Sequence, residues 1–178
     1  KDITTFDLCR ERIFKSSWQL IGNEQNVRVS NSASPAVFME GFINEPLLLT
    51  RDNEDELHCL SNVCTHRGNL LIDGTCQLKN ITCSYHGRKF GLDGKFQRMP
   101  ETEGMENFPS ERDNLPQVPF HNWKGFLFAS IDPSIDFFKW ITPIADRLSW
   151  LPIEDFKFDP TRSKEYLVNA NWALYCDN

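Results

Sequence analysis

A mainly β chain is what this sequence predicts: a small antiparallel β-sandwich or barrel, preceded by a short N-terminal helix and followed by a C-terminal α/β extension. Three observations carry that reading. From Val37 to about Asp132, short apolar runs such as VFMEGF, PLLLTRD, ELHCLSNVC and KGFLFASID are punctuated by turn residues, with no strand–helix alternation. Asp93-Gly94 lies inside RKFGLDGKF, where glycine permits the positive φ that a two-residue hairpin turn needs. Beyond Pro133 the pattern changes to the helical run FFKWITPIADRLSWL.

Taken in order, FDLCRERIFKSS places apolar residues at 6, 9, 13 and 14, roughly one helical face, so residues 1–17 read as a helical lead-in. WQLIG then opens a strand and the β region, residues 18–132. The stretch from Pro100 to Pro119 is rich in Glu, Pro, Asn and Ser and reads as a long surface loop of the kind that covers something. Residues 133–178 form the extension: a helix with Pro143 near a boundary, a strand in EYLVNA, and a further helical start in NWALYCDN.

The 178 residues suffice for one core with appended elements. With 19 Lys+Arg against 25 Asp+Glu, the formal charge of −6 argues against nucleic acid or an anionic membrane as the main partner, and suits a basic redox partner. No run approaches the roughly 18 apolar residues of a membrane span, and KDITTFDLCRER lacks the apolar stretch of a signal peptide, so a cytoplasmic protein is expected. In that setting six cysteines read as thiols or metal ligands rather than disulfides.

Four residues stand out. Cys64-Thr-His66 and Cys83-Ser-Tyr-His86 each follow a strand-like run, so each pair can sit on a tight loop at a strand end. Two such loops side by side would gather two thiolates and two imidazoles, the ligand set of a [2Fe–2S] centre with two cysteines on one iron and two histidines on the other. A Cys₂His₂ zinc site is the main alternative, although zinc fingers usually place both cysteines before both histidines. A Cys64–Cys83 disulfide, or four unrelated buried residues, are the remaining ones.

VCTHRGNLL followed by CSYHGRKFGLDGKF resembles the two cluster-binding boxes of the Rieske non-haem iron oxygenases, the aromatic-ring-hydroxylating dioxygenase α subunits and their demethylase relatives. The resemblance implies a Rieske-type antiparallel fold with two cluster-binding loops, and a cofactor site of Cys64, His66, Cys83 and His86 flanked by Arg67, Gly68, Tyr85 and Gly87. Glycine beside each histidine is expected to let backbone pass close to the cluster with N–H groups free to face sulfur. Arg88 departs from the tryptophan of many members, which makes the partner surface less predictable. Respiratory-chain Rieske proteins carry an extra disulfide and a serine donor where this chain has Asn69, Tyr85 and Arg88. Fewer hydrogen bonds to sulfur predict a potential on the order of −150 to −100 mV.

NANWALYCDN resembles the Asn-Trp helix that leads, in the same family, into a mononuclear iron site built from two histidines and a carboxylate. Those ligands are not in this sequence, so the resemblance implies a truncated catalytic domain, no catalytic residues here, and mononuclear Fe(II) only in the complete protein. It further implies electron input from a reductase or ferredoxin, electron delivery to the iron of a neighbouring subunit within a trimer, and a His66 or His86 contact to a carboxylate of that subunit. A free-standing Rieske ferredoxin and a zinc-stabilised binding module are the competing functions. Arenes and quaternary ammonium or methylamine substrates both fit the family. Cys9, Cys59, Cys76 and Cys176 read as inert thiols, His58 and His121 as local hydrogen-bonding groups, and Asp177 as a solvated carboxylate.

Overall fold

The computed structural model describes residues 2–176. The lead-in helix α1 (Ile3–Cys9) starts at Asp2, whose carboxylate accepts the Thr4 amide at 3.0 Å, and continues as a π-helical turn over Arg10–Phe14. Phe6 and Phe14 meet Phe42 edge-on at 4.7 and 5.1 Å, which docks this helix on the β region.

Three antiparallel sheets follow. The first has the order β1 (Gln19–Asn23), β10 (Phe126–Ala129), β9 (Phe120–Trp123). The second runs β4 (Leu57–Ser61), β3 (Glu45–Arg51), β2 (Ser32–Phe38), β5 (Cys76–Gln77). The third is small: β6 (Ile81–Thr82), β7 (Lys89–Phe90), β8 (Phe96–Arg98). Of the two architectures expected, the sheets pack as layers and close into no barrel among the described residues.

Strand β3 explains how the layers cohere. Leu47, Leu48 and Leu49 are all fully buried, yet they serve opposite faces because successive side chains in a strand alternate. Leu48 joins Leu60, Ile81, Phe90, Leu92 and Leu115 in one core, which also takes in Cys64 and Cys83. Leu47 and Leu49 join Val27, Phe38, Cys59, Leu127 and Ala129 in the other. Burial pushes the Cys59 thiol up to about 12, as an inert core cysteine requires. Thr50 ties the second sheet to the third by donating its hydroxyl to the Leu92 carbonyl at 2.6 Å.

Asp93-Gly94 turns the chain between β7 and β8 as the sequence predicts, but within the five-residue connection 91–95 rather than as a two-residue hairpin loop. Gly94 has φ +81°, and a Cβ there would lie 2.9 Å from Leu60 Cδ2, so both conformation and space demand glycine. At the end of β3, Asp52 Oδ1 accepts the amides of Glu54 and Glu56, both at 2.9 Å, while Oδ2 meets His58 Nε2 at 2.8 Å. Burial works to raise this carboxyl, but His58 and the two amides outweigh it and hold Asp52 below the usual carboxylate range. A depressed folded-state value contributes stability at pH above the unfolded value near about 4, and that contribution is lost as pH falls through the folded value. Asp52→Asn is therefore expected to lower stability by about 1 kcal/mol at pH 7 and to flatten the decline below about pH 4, measured by urea midpoints across pH.

The C-terminal extension corrects two expectations. Pro143 lies inside α2 (Phe137–Arg147), not at its edge; the helix persists because its N-terminus is capped by Asp136 and its buried face, Phe137 and Ile141, packs with Trp18. EYLVNA forms no strand: Tyr166, Leu167 and Val168 are exposed, and no neighbouring strand pairs with them among the described residues. Strand propensity without a partner ladder does not make a strand. A short helix α3 (Ala173–Cys176) follows. The expectations placed on Asp177, on Asn178 and on the Cys176 side chain fall outside the described residues.

Candidate metal centre

Two loops, one after β4 and one after β6, carry the four candidate ligands, and they are built by the same backbone device. In the first, the Cys64 amide donates to the Asn69 carbonyl at 2.8 Å and the Gly68 amide to the Cys64 carbonyl at 3.0 Å. In the second, the Cys83 amide donates to Arg88 and the Gly87 amide to Cys83, at the same 2.8 and 3.0 Å. Glycine stands four residues after each cysteine with φ +70° in both loops, so the left-handed turn that closes each loop is what requires it. The expected reason is thereby corrected: the Gly68 and Gly87 N–H groups are occupied by those turns. The amides that face sulfur are those of His66 and Arg67 at Cys64, and of Tyr85 and His86 at Cys83.

The first loop is also held from behind. Asn62, fully buried, donates to the Ile72 carbonyl at 2.7 Å and accepts the Ile72 amide at 3.0 Å, closing the loop at its base. Asn69 reaches across to Ser84 of the second loop at 3.4 Å, and its side chain works to lower the Cys83 thiol.

The four side chains gather in two pairs. Cys64 and Cys83 are buried free thiols with no disulfide between them. Burial raises both thiols; at Cys83 the Tyr85 and His86 amides, the Cys64 thiol and Asn69 outweigh it and turn the shift downward, while Cys64 stays raised. The His66 and His86 rings lie 4.7 Å apart, and the Nδ1 atom of each is buried without a hydrogen-bond partner. Burial, the His86 ring and the guanidinium groups of Arg67 and Arg88 hold His66 below the usual imidazole range, favouring the neutral ring that a metal ligand must be.

Two orphaned ring nitrogens beside two buried thiols fit a group that takes two donors of each kind. Among the described residues, no three His, Cys, Asp or Glu side chains gather around one metal-sized point, as a tetrahedral zinc site demands. The other sequence-predicted residues surround the pairs: Tyr85 is exposed and lies 3.8 Å from the His86 ring, Gly87 packs against Pro100, and Arg67 and Gly68 are exposed at the tip of the first loop.

Arg88 is where the structure departs most from the sequence reading. It contributes nothing to a partner surface, being 4% exposed. Its guanidinium donates to Thr65 Oγ1 and to Asp113 Oδ1, each at 2.7 Å, and lies over the rings of Phe96 and Phe108. Thr65 in turn donates to the Asp113 carbonyl at 2.9 Å. The long Pro100–Pro119 loop thus covers the second ligand loop, as its length predicts, and neither Thr65 nor Asp113 was marked by any motif.

The model of the Rieske [2Fe-2S] domain matches residues 17–109. Choline monooxygenase of Beta vulgaris chloroplasts is 30% identical across 94% of this chain and 38% of its own length. The carnitine monooxygenase oxygenase subunit of Escherichia coli K12 is 31% identical across 99% of this chain and 47% of its own. Among solved structures, the quaternary ammonium Rieske monooxygenase CntA bound to gamma-butyrobetaine aligns with a TM-score of 0.77 at 26% identity, covering 86% of this chain and 44% of that one. Naphthalene 1,2-dioxygenase, at 22% identity over 83% of this chain and 33% of that one, has a TM-score of 0.71 and shares the fold. The chain therefore spans less than half the length of these relatives. With more than half of its residues matched, the chain belongs to the Rieske [2Fe–2S] domain family, and its relatives are Rieske oxygenases.

Proposed function

We propose that this chain is the electron-transfer unit of a Rieske oxygenase, with Cys64 and Cys83 holding one iron of a [2Fe–2S] cluster and His66 and His86 the other. The observation that carries the reading is the pair of buried, unpartnered Nδ1 atoms on rings 4.7 Å apart, beside two buried thiols. When bound, the cluster supplies reversible one-electron storage, at a potential raised by its imidazole ligands above that of an all-cysteine cluster. The rest is done by the chain. The Tyr85, His86, His66 and Arg67 amides and the Asn69 side chain stabilise negative charge on the two sulfurs. Leu48, Leu60, Ile81 and Phe90 keep water from the cysteine side. With Nδ1 turned inward on each half-buried ring, Nε2 is left to hold a proton and to bond across an interface.

Residues 18–132 form this unit in our reading, with 1–17 as lead-in and 133–178 as the start of the catalytic portion; the family match, over residues 17–109, supports the first of these boundaries. A reductase or ferredoxin donates the electron, and a mononuclear non-haem iron of a neighbouring subunit in a homo-oligomer accepts it. Relatives named for choline and carnitine favour a quaternary ammonium substrate for the whole protein over an arene. No helix among the described residues is long and apolar enough to cross a membrane. Free thiols at all five cysteines whose side chains are described favour a reducing compartment such as the cytoplasm. The test is anaerobic purification with assays of iron, sulfide and zinc. About two irons and two sulfides per chain, with a red-brown colour that bleaches on dithionite, are expected. A colourless protein holding zinc would overturn the reading.

A further inference from the structure

We propose that Arg88 is a positioning residue for the cluster site: it ties the two ligand loops together and, paired with Asp113, its buried charge sets the site's reduction potential. The inference rests on the ligand assignment above. Three separate parts of the chain meet at this one side chain. Its own backbone closes the second loop by accepting the Cys83 amide at 2.8 Å. One arm of its guanidinium donates at 2.7 Å to Thr65, which sits between Cys64 and His66 in the first loop. The other arm donates at 2.7 Å to Asp113 of the covering segment, whose second carboxylate oxygen accepts the Ser110 amide at 2.7 Å and hydroxyl at 3.0 Å. Phe96 and Phe108 enclose the guanidinium, their ring centroids 5.1 and 5.7 Å from Cζ.

A planar fork is needed for this. Arginine presents donors to Thr65 and Asp113 at once, whereas the single ammonium of lysine cannot span both. Separation of the two ligand loops therefore depends on a side chain that is itself fixed at both ends. The charge has a second effect. Reduction adds negative charge to the site, so a nearby buried cation favours the reduced form and a nearby carboxylate opposes it, in surroundings where solvent screens little. Arg88 and Asp113 therefore pull the potential in opposite directions.

The chain purified with its cluster is compared with Arg88→Met, Arg88→Lys, Asp113→Asn and Thr65→Val by redox titration, electron paramagnetic resonance and the rate of iron release to a chelator. Arg88→Met is expected to lower the potential and Asp113→Asn to raise it. Arg88→Lys keeps the charge, so its potential stays near wild type, while iron release accelerates about tenfold, the scale of losing an outer partner of a metal ligand. Thr65→Val accelerates release at unchanged potential. Wild-type potential in both Arg88→Met and Asp113→Asn overturns the charge role, and wild-type release in Arg88→Lys and Thr65→Val overturns the positioning role. Should Arg88→Met fail to load, Asp113→Asn and Thr65→Val decide the two claims by the same criteria. A wild-type chain without a cluster would instead overturn the ligand assignment, and this proposal with it.

Discussion

Cys83→Ser is expected to leave the purified chain without colour, its iron and sulfide reduced at least about tenfold. The loss of an outer partner alone costs about that much in metal affinity, and a ligand itself costs more. Cys83 is buried, and the Tyr85 and His86 amides favour negative charge on its sulfur. A serine oxygen is a harder and shorter donor than a thiolate and does not reproduce that support. Cys59→Ser is the matched control, since Cys59 is equally buried but faces the other core with Leu47 and Leu49. It should lose stability through a buried hydroxyl, on the order of 1–3 kcal/mol, and keep its cluster. Metal analysis and visible spectra of the two variants side by side give the answer, and a Cys83→Ser protein with full iron and sulfide would remove Cys83 from the ligand set.

Phe90→Ala is expected to lose about 3–5 kcal/mol of folding stability, read as a fall in denaturant midpoint at unchanged slope. Against a total of about 5–15 kcal/mol for a typical domain, that is a large fraction. Phe90 is fully buried, pairs with Ile81 in the ladder of β6 and β7, and belongs to the core that contains both candidate cysteines. A cavity there removes the packing beneath both ligand loops at once. Phe38→Ala, in the second core, should cost a similar amount while leaving the cluster spectrum of the folded protein unchanged. Equal spectral changes in the two variants would show that the first core has no special hold on the site.

The candidate ligands were legible because iron–sulfur chemistry demands particular atoms, and Cys64, His66, Cys83 and His86 offer them at loop-compatible spacing. The Asp93-Gly94 turn was legible for a similarly local reason, since few residues adopt its backbone angles. The strand expected in EYLVNA was misread because a strand is a pairing property, and pairing depends on what lies alongside. Pro143 was placed too near a helix end because the cost of one lost ladder bond is outweighed by burial of Phe137 and Ile141 against Trp18, a contact distant in sequence.

The sequence by itself marked the candidate donors and the antiparallel character of the chain, both of which show in local chemistry and short-range patterning. Only the tertiary structure decided that Arg88 points inward to Thr65 and Asp113, that Asn69 reaches across to Ser84, and that the covering loop supplies the carboxylate. Those contacts join residues 15 to 25 positions apart, and a charge becomes an internal partner only when folding removes the water that would otherwise satisfy it.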